Sequence, residues 1–282
     1  MDVICKRKGI AFACKKGNKP DKPNQDDFFI LVDGTTVIIG VFDGHGDSGH
    51  LCSNYAQQLF PKMLLTNPNY IKNLGLAIKQ TFVMVDEALR AVSRYEHFSI
   101  LWSGTTATVM VHRDNMLYIS HVGDTRSILG KLTPENDISA VCLTKEHWPT
   151  DPIEKQRVEE SKGEVKRLLN SETPRVYYKG AGFPGLAMTR SIGDDMAKCC
   201  GIIPEPEVRS IQLESTDAFV IIGSDGVWEY MTNEVVVKIV HKNGKEKANE
   251  SIATIVEDAF NLWQNNDDTY TDDITCILYH LT

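Results

Sequence analysis

The sequence predicts an α+β fold in which antiparallel sheets carry pairs of helices on their outer faces. Three observations support this. Segments rich in Val, Ile, Phe and Tyr come in runs followed by two helical patterns, and that succession repeats before a last strand; a parallel sheet would alternate strand and helix instead. Hydrophobic residues make up 42% and charged residues 24% of the 282, a balance that supports a sizeable core and excludes a disordered or fibrous chain. No repeat, low-complexity tract or Pro/Gly/Ser-rich linker divides the chain, so residues 1–282 are expected to form one unit.

The first strands are expected over Phe28 to Val32 and Thr36 to Phe42. A helix over Leu51 to Phe60 should stop at Pro61, and Asn67-Pro68 marks a turn. In Tyr70 to Arg94 the apolar residues Ile71, Leu74, Ile78, Phe82, Val85, Leu89 and Val92 step by three or four, the mark of a helix burying one stripe. Strands follow at Thr105 to Val111, Met116 to Val122 and Arg126 to Leu129. Residues 131 to 217 are more polar and irregular, with one short helix near Ile153 to Lys162, and read as a functional loop or insertion. After a strand at Ala218 to Ile222 come helices at Asn233 to His241 and Lys247 to Trp263, the latter ending at Asn265, Asn266 and Asp267. The last strand is Ile274 to Leu281.

Charge and composition exclude several functions. Thirty basic against 38 acidic residues give a net charge of −8, a poor match to the phosphate backbone of a nucleic acid. The longest apolar run, Val37 to Phe42, is far below the ~18 residues of a membrane span, so no membrane association is expected. The N-terminus has no apolar core of a secretory signal, and Asp2 stands where myristoylation needs Gly. The seven cysteines show no Cys-x-x-Cys spacing, which argues against a disulfide framework or zinc site and for a reducing, cytoplasmic or nuclear, compartment.

The informative pattern is Asp at strand ends. Asp43-Gly44-His45-Gly46 follows the second strand, Asp124 follows Met116 to Val122 and Gly123, Asp225-Gly226 follows Ala218 to Ile222, and Asp272-Asp273 precedes the last strand. In antiparallel sheets one strand's end lies beside its neighbour's start, so these carboxylates can meet on one rim. Several carboxylates together repel unless protonated or neutralised by cations, and hard ions such as Mg²⁺ or Mn²⁺ suit oxygen ligands. A lone Asp-Gly is more often a turn, and spacing by itself does not establish a site.

Eight segments, in order, resemble the metal-dependent, type 2C serine/threonine protein phosphatases: NQDD (24–27), VFDGHGDSGH (41–50), SGTTATVMV (103–111), HVGDTRSIL (121–129), EHWPTDPIEKQRVEESKGEV (146–165), GLAMTRSIGD (185–194), IIGSDGVWEYM (221–231) and DDITCIL (272–278). The resemblance implies a four-layer αββα sandwich, two stacked antiparallel sheets with a helix pair on each outer face. It implies a binuclear Mg²⁺ or Mn²⁺ centre: Asp43 bridging, the Gly44 carbonyl on one ion, Asp225 and Asp272 on the other, and Asp26 behind them or acting through water. Asp124 matches a position that helps hold a third, weaker metal, and Glu229 takes the place of another acidic partner. His45 would be the general acid for the leaving Ser or Thr oxygen, water the nucleophile, and phosphorylated proteins the substrates of an expected monomer.

Some positions depart from the family pattern. Asp21 stands where members often have an Arg that binds the substrate phosphate. Residues 1–22 carry seven Lys or Arg against two Asp, and Lys22 or Lys19 is the expected replacement as a point charge. Gln25 stands where many members have Glu, Asp273 replaces a usual Asn, and Thr150 to Pro184 corresponds to a variable flap beside the active site, whose Arg175, Tyr177, Tyr178 and Lys179 are candidates for substrate contact, with local packing the commoner role of such aromatics. Two alternatives remain at this level: a pseudophosphatase serving as a binding or regulatory module, and another two-metal hydrolase such as a nuclease, which the acidic surface disfavours.

Overall fold

The computed structural model describes residues 2–167, 173–266 and 269–281. Two antiparallel sheets form its centre. One is ordered β1 (Ile10–Lys15), β15 (Ile274–His280), β14 (Asp217–Gly223), β7 (Arg126–Leu132) and β8 (Ile138–Cys142). The other pairs β2 (Asp26–Asp33) with β3 (Thr36–His45), then runs through β5 (Ala107–Arg113), β6 (Met116–Val122) and β13 (Glu207–Gln212); β4 (Gly104–Thr105) and β12 (Ile192–Gly193) extend it beyond the end of β3. Alternate side chains of β3 explain why that strand reads as an unbroken apolar run. Val37, Ile39 and Val41 point between the sheets, against Val220, Ile222 and Ile277, while Ile38 and Phe42 point to the outer layer, so both faces are buried.

Each outer face carries a helix pair, as the sequence predicts. On one side α2 (Gly49–Thr66) and α3 (Leu74–Tyr95) bury Phe60, Ile78, Phe82, Val85 and Leu89, each worth about 1.5–3 kcal/mol of transfer free energy. On the other, α6 (Asn233–Asn243) and α7 (Ala248–Asn266) cover the first sheet with Val236, Val240, Ile252 and Ile255. The architecture is therefore the four-layer αββα sandwich. The apolar stripe of α3 begins at Leu74, since Asn73 caps it by accepting the Leu76 N–H; Ile71 lies before the helix and is exposed.

Two expectations need correction. Helix α2 runs through Pro61 to Thr66: burial of Phe60 and Leu64 on either side offsets the one backbone bond that proline removes. Its end comes at Asn67, held extended before Pro68 with ψ 129°. Residues 131 to 217 are more regular than expected. Besides the expected short helix, α4 (Pro152–Glu160), they hold β8, β13 and a small antiparallel sheet of β9 (Gly163–Lys166), β10 (Arg175–Tyr178) and β11 (Pro184–Leu186). The remaining α-helices among the described residues are α1 (Asp2–Lys8) and the short α5 (Asp225–Trp228).

Candidate metal centre

The carboxylates converge as the strand-end pattern predicts. Asp26 and Asp43 are cross-strand partners at one end of β2 and β3, an arrangement that repels when both are ionised. The other sheet contributes Asp225 at the start of α5, after β14, and Asp272, just before β15. Ser224 ties the sheets together here: its hydroxyl donates to Asp26 Oδ2 at 2.7 Å and accepts the Thr275 N–H at 3.0 Å, while its own N–H donates to the Thr275 carbonyl. Asp124 arrives from the turn after β6. Gly123 makes that turn at φ +94°, and a Cβ there would collide with Thr106; Thr106 also donates its N–H to the Asp43 carbonyl and accepts the Asp43 N–H on its hydroxyl.

The electrostatics are those of an anionic nest in which carboxylates outnumber the cations that meet them. Burial, then the charges of Asp225, Asp26, Asp272 and Asp124, hold the Asp43 carboxyl well above the usual range. Asp225 is raised by burial and by Asp272, Asp124 and Asp26. Burial brings Asp26 to about 7 and, with Glu146, Asp124 to about 6. Among the described residues, Asp26 Oδ1, Asp124 Oδ1 and Asp225 Oδ1 are buried without a hydrogen-bond partner. Such atoms are costly unless something positive meets them. The all-oxygen donor set and its shared negative charge fit a hard divalent cation.

Around the nest the chain closes tightly. Gly44 leaves no room for a side chain: a Cβ would strike the Gly49 backbone and the Gln25 carbonyl, which accepts the Gly44 N–H at 3.0 Å. Gln25 is buried, donates its amide to the Gly46 carbonyl at 2.7 Å and gives its backbone N–H to Asp273 Oδ2 at 2.9 Å. A Glu there could not donate to Gly46, which accounts for the amide. Asp273, buried, accepts the Gly17 and Gln25 N–H groups, so it serves as a clip between loops, while the charge of Asp272 acts on Asp26, Asp43 and Asp225. Lys19, expected near substrate, lies against Asp272 and 3.3 Å from Asp273 Oδ2; Lys22 is exposed. Both line a cleft of about 300 Å³ with Gln25 and Tyr270. Glu229 is exposed one turn after Asp225.

His45 is paired with a residue that sequence reading left without a role. Its Nε2 lies 2.7 Å from Asp194 Oδ2, which also accepts the Ser191 hydroxyl at 2.6 Å. Burial opposes protonation of His45, but Asp194 overcomes it and raises the imidazole pKa, while His45 and Ser191 hold Asp194 below its usual range. The His45 Nδ1 is buried without a partner. Asp194 ends the GLAMTRSIGD segment and sits at φ +53°; its position in that segment was the available signal.

A second cluster brings one potential ligand atom each of His121, His147 and Glu207 within 4.8 Å of one another. Its hydrogen bonds argue against an ion. Gly123 N–H donates to His147 Nδ1 at 3.1 Å, which places the ring proton on Nε2, the atom 4.0 Å from Glu207. A metal ligand needs that lone pair free.

Comparison with known proteins identifies the family. The family described as Protein phosphatase 2C matches residues 20–264. The chain is 31% identical to probable protein phosphatase 2C 72 of Arabidopsis thaliana, covering 87% of this chain and 77% of that protein. It is 30% identical to probable protein phosphatase 2C 35 of the same plant, covering 94% and 80%. The crystal structure of a serine-threonine phosphatase 2C from Toxoplasma gondii shares the fold at a TM-score of 0.84 and 22% identity, over 96% of this chain and 94% of that one. The comparisons lend no support to a non-catalytic module. The chain belongs to the protein phosphatase 2C family: it is a protein phosphatase, a hydrolase of a metal-dependent family whose substrates are phosphoproteins.

Proposed function

We propose that this chain hydrolyses phosphoserine and phosphothreonine esters by direct attack of water at a centre of two Mg²⁺ or Mn²⁺ ions. The observation that carries this reading is the meeting of Asp26, Asp43, Asp124, Asp225 and Asp272 from both sheets, three of them with a buried oxygen lacking any partner. Asp43, Asp225, Asp272 and the Gly44 carbonyl would hold the ions, Asp26 would support them from behind, and Asp124 would serve a third. Divalent cations bound there supply Lewis-acid activation of water and neutralise phosphoryl charge.

The protein's own groups account for the rest. His45, kept protonated by Asp194, is the general acid for the departing Ser or Thr oxygen, with its unpartnered Nδ1 as the donor. Exposed Lys22, with Lys19 behind it, supplies positive charge for the substrate phosphate in place of the absent arginine. Residues 1–282 act as one catalytic unit, a monomer of the cytoplasm or nucleus, with 150–184 as a flap beside the site; residues 168–172 of that flap lie outside the described residues. Among the described residues no helix is long and apolar enough to cross a membrane.

The test is turnover of a phosphothreonine peptide and of p-nitrophenyl phosphate with Mn²⁺, with EDTA, and in Asp43→Asn. Activity should require Mn²⁺ and vanish in the variant. Turnover that survives chelation would reject the metal reading, and none under any condition would favour a binding module.

A further inference from the structure

A cation already stands in the nest. The Lys19 ammonium contacts Asp272 Oδ1, lies 3.3 Å from Asp273 Oδ2, and its side chain is 11% exposed. The loop that brings it there is fixed at both ends. Gly17 N–H donates to Asp273 Oδ1 at 2.8 Å, and Gly17 packs so closely on the backbone of Thr271 and Asp272 that no side chain fits. Lys22 N–H closes the turn onto the Lys19 carbonyl at 3.2 Å.

Asp272 and Asp273 are held differently. Asp273 has two backbone donors besides Lys19, so its charge is met without the lysine. Asp272 accepts the Tyr270 hydroxyl on Oδ2 at 2.9 Å, and on Oδ1 it accepts the Asp273 N–H and faces the ammonium. Lys19 therefore occupies the charge position beside the one carboxylate that the metal reading needs from this loop.

We propose that Lys19 is a resident counter-cation that competes with the metal: it neutralises Asp272 in the metal-free protein and is displaced from it when a divalent ion enters, so that its charge sets metal affinity. This rests on the metal reading of the aspartate nest. Two cations on one carboxylate oxygen repel, whereas a tie that only shaped the loop would aid the site it helps to build. A unit charge about 6 Å from a divalent ion in water is worth about tenfold in an equilibrium constant.

Calorimetric titration of chelator-stripped protein with Mn²⁺ decides between these roles. Lys19→Met should bind Mn²⁺ about tenfold tighter than the unaltered chain, while Lys19→Arg gains nothing and exposed Lys22→Met changes nothing. Lys19→Met should also melt below the unaltered protein in EDTA, yet no lower than it in saturating Mn²⁺. Should Lys19→Met fail to fold cooperatively in EDTA, Lys19→Gln, which keeps a polar head, carries the same expectation. Unchanged or weaker Mn²⁺ affinity in the folded variant overturns the competition while leaving the metal reading intact. Absence of Mn²⁺ binding by the unaltered chain overturns both.

Discussion

Replacing Asp26 by Asn should stabilise the metal-free protein and destabilise the metal-loaded one. The Asp26 side chain is buried across from Asp43. Burial raises its pKa from 3.8 to about 7, with the hydrogen bond from Ser224 pulling down and Asp272 and Asp273 pushing up. The folded chain thus holds this proton more tightly than the unfolded chain does. No stability is lost below the unfolded pKa near 4; the loss grows as pH rises and is complete above about 7. Some three pH units at about 1.4 kcal/mol each make it about 4 kcal/mol at pH 7.5. Asn carries no charge to desolvate, but weakens the bond from Ser224 by about 1–2 kcal/mol. The net gain of about 2–3 kcal/mol should raise the melting temperature by roughly 5–10 °C.

Differential scanning fluorimetry at pH 7.5 in EDTA measures this directly. In saturating Mn²⁺ the order of the two proteins should reverse, and at pH 4.5 in EDTA the gap should shrink. A variant less stable than its parent in EDTA at pH 7.5 would refute the reasoning, because Asp26 would then be a structural acceptor and not a member of a repulsive nest.

Asp194→Asn leaves His45 without its counter-charge and should cost about 3–5 kcal/mol of stability in urea melts. It should also lower kcat on a phosphothreonine peptide by at least about tenfold while sparing p-nitrophenyl phosphate, whose leaving group needs no proton; equal losses on both would remove the acid role. Gly104→Ala should reproduce that substrate selectivity without altering any charge, since its Cβ would press into the Asp194 carboxylate and the Ile192 carbonyl; retention of peptide kcat would show that Asp194 has room to move. Glu154→Gln breaks a buried cluster in which Glu154 accepts Thr189 Oγ1 at 2.5 Å, Arg157 at 2.6 Å and Arg190 Nε at 3.1 Å. Burial alone would raise the Glu154 pKa, but the bonds from Arg190, Arg157 and Thr189 hold it well below the usual range. Its stabilisation is therefore present above about pH 4.5 and lost as pH falls through the lower folded value. The variant should be about 3–5 kcal/mol less stable at pH 7, with the gap closing in strong acid; a gap independent of pH would contradict the ion-pair account.

Much of this was legible in the residues. Strands such as Met116–Val122 carry their own β-branched signal, and α3 its apolar stripe, because those segments bury enough surface for local pattern and tertiary packing to agree. Strand β13 did not: an edge strand with Glu207, Ser210 and Arg209 open to solvent has no apolar alternation to read. The flap strands β9 to β11 are short, and burial of Val176 and Tyr177 depends on contacts from distant segments.

The site divides in the same way. Asp residues at strand ends announce a shared rim because antiparallel pairing is local geometry. The partnership of His45 with Asp194 spans 149 positions, and that of Lys19 with Asp272 spans 253; neither leaves a periodic trace. Asp272 and Asp273 look equivalent as neighbours in the sequence, and it is the fold that aims the distant Gly17 and Gln25 N–H groups at Asp273 and the Lys19 ammonium and Tyr270 hydroxyl at Asp272.

Anomalous diffraction from a crystal soaked in Mn²⁺ tests the central claim most directly. Two peaks among Asp43, Asp225 and Asp272 are predicted. Density absent there, or found only at His121, His147 and Glu207, would contradict the account.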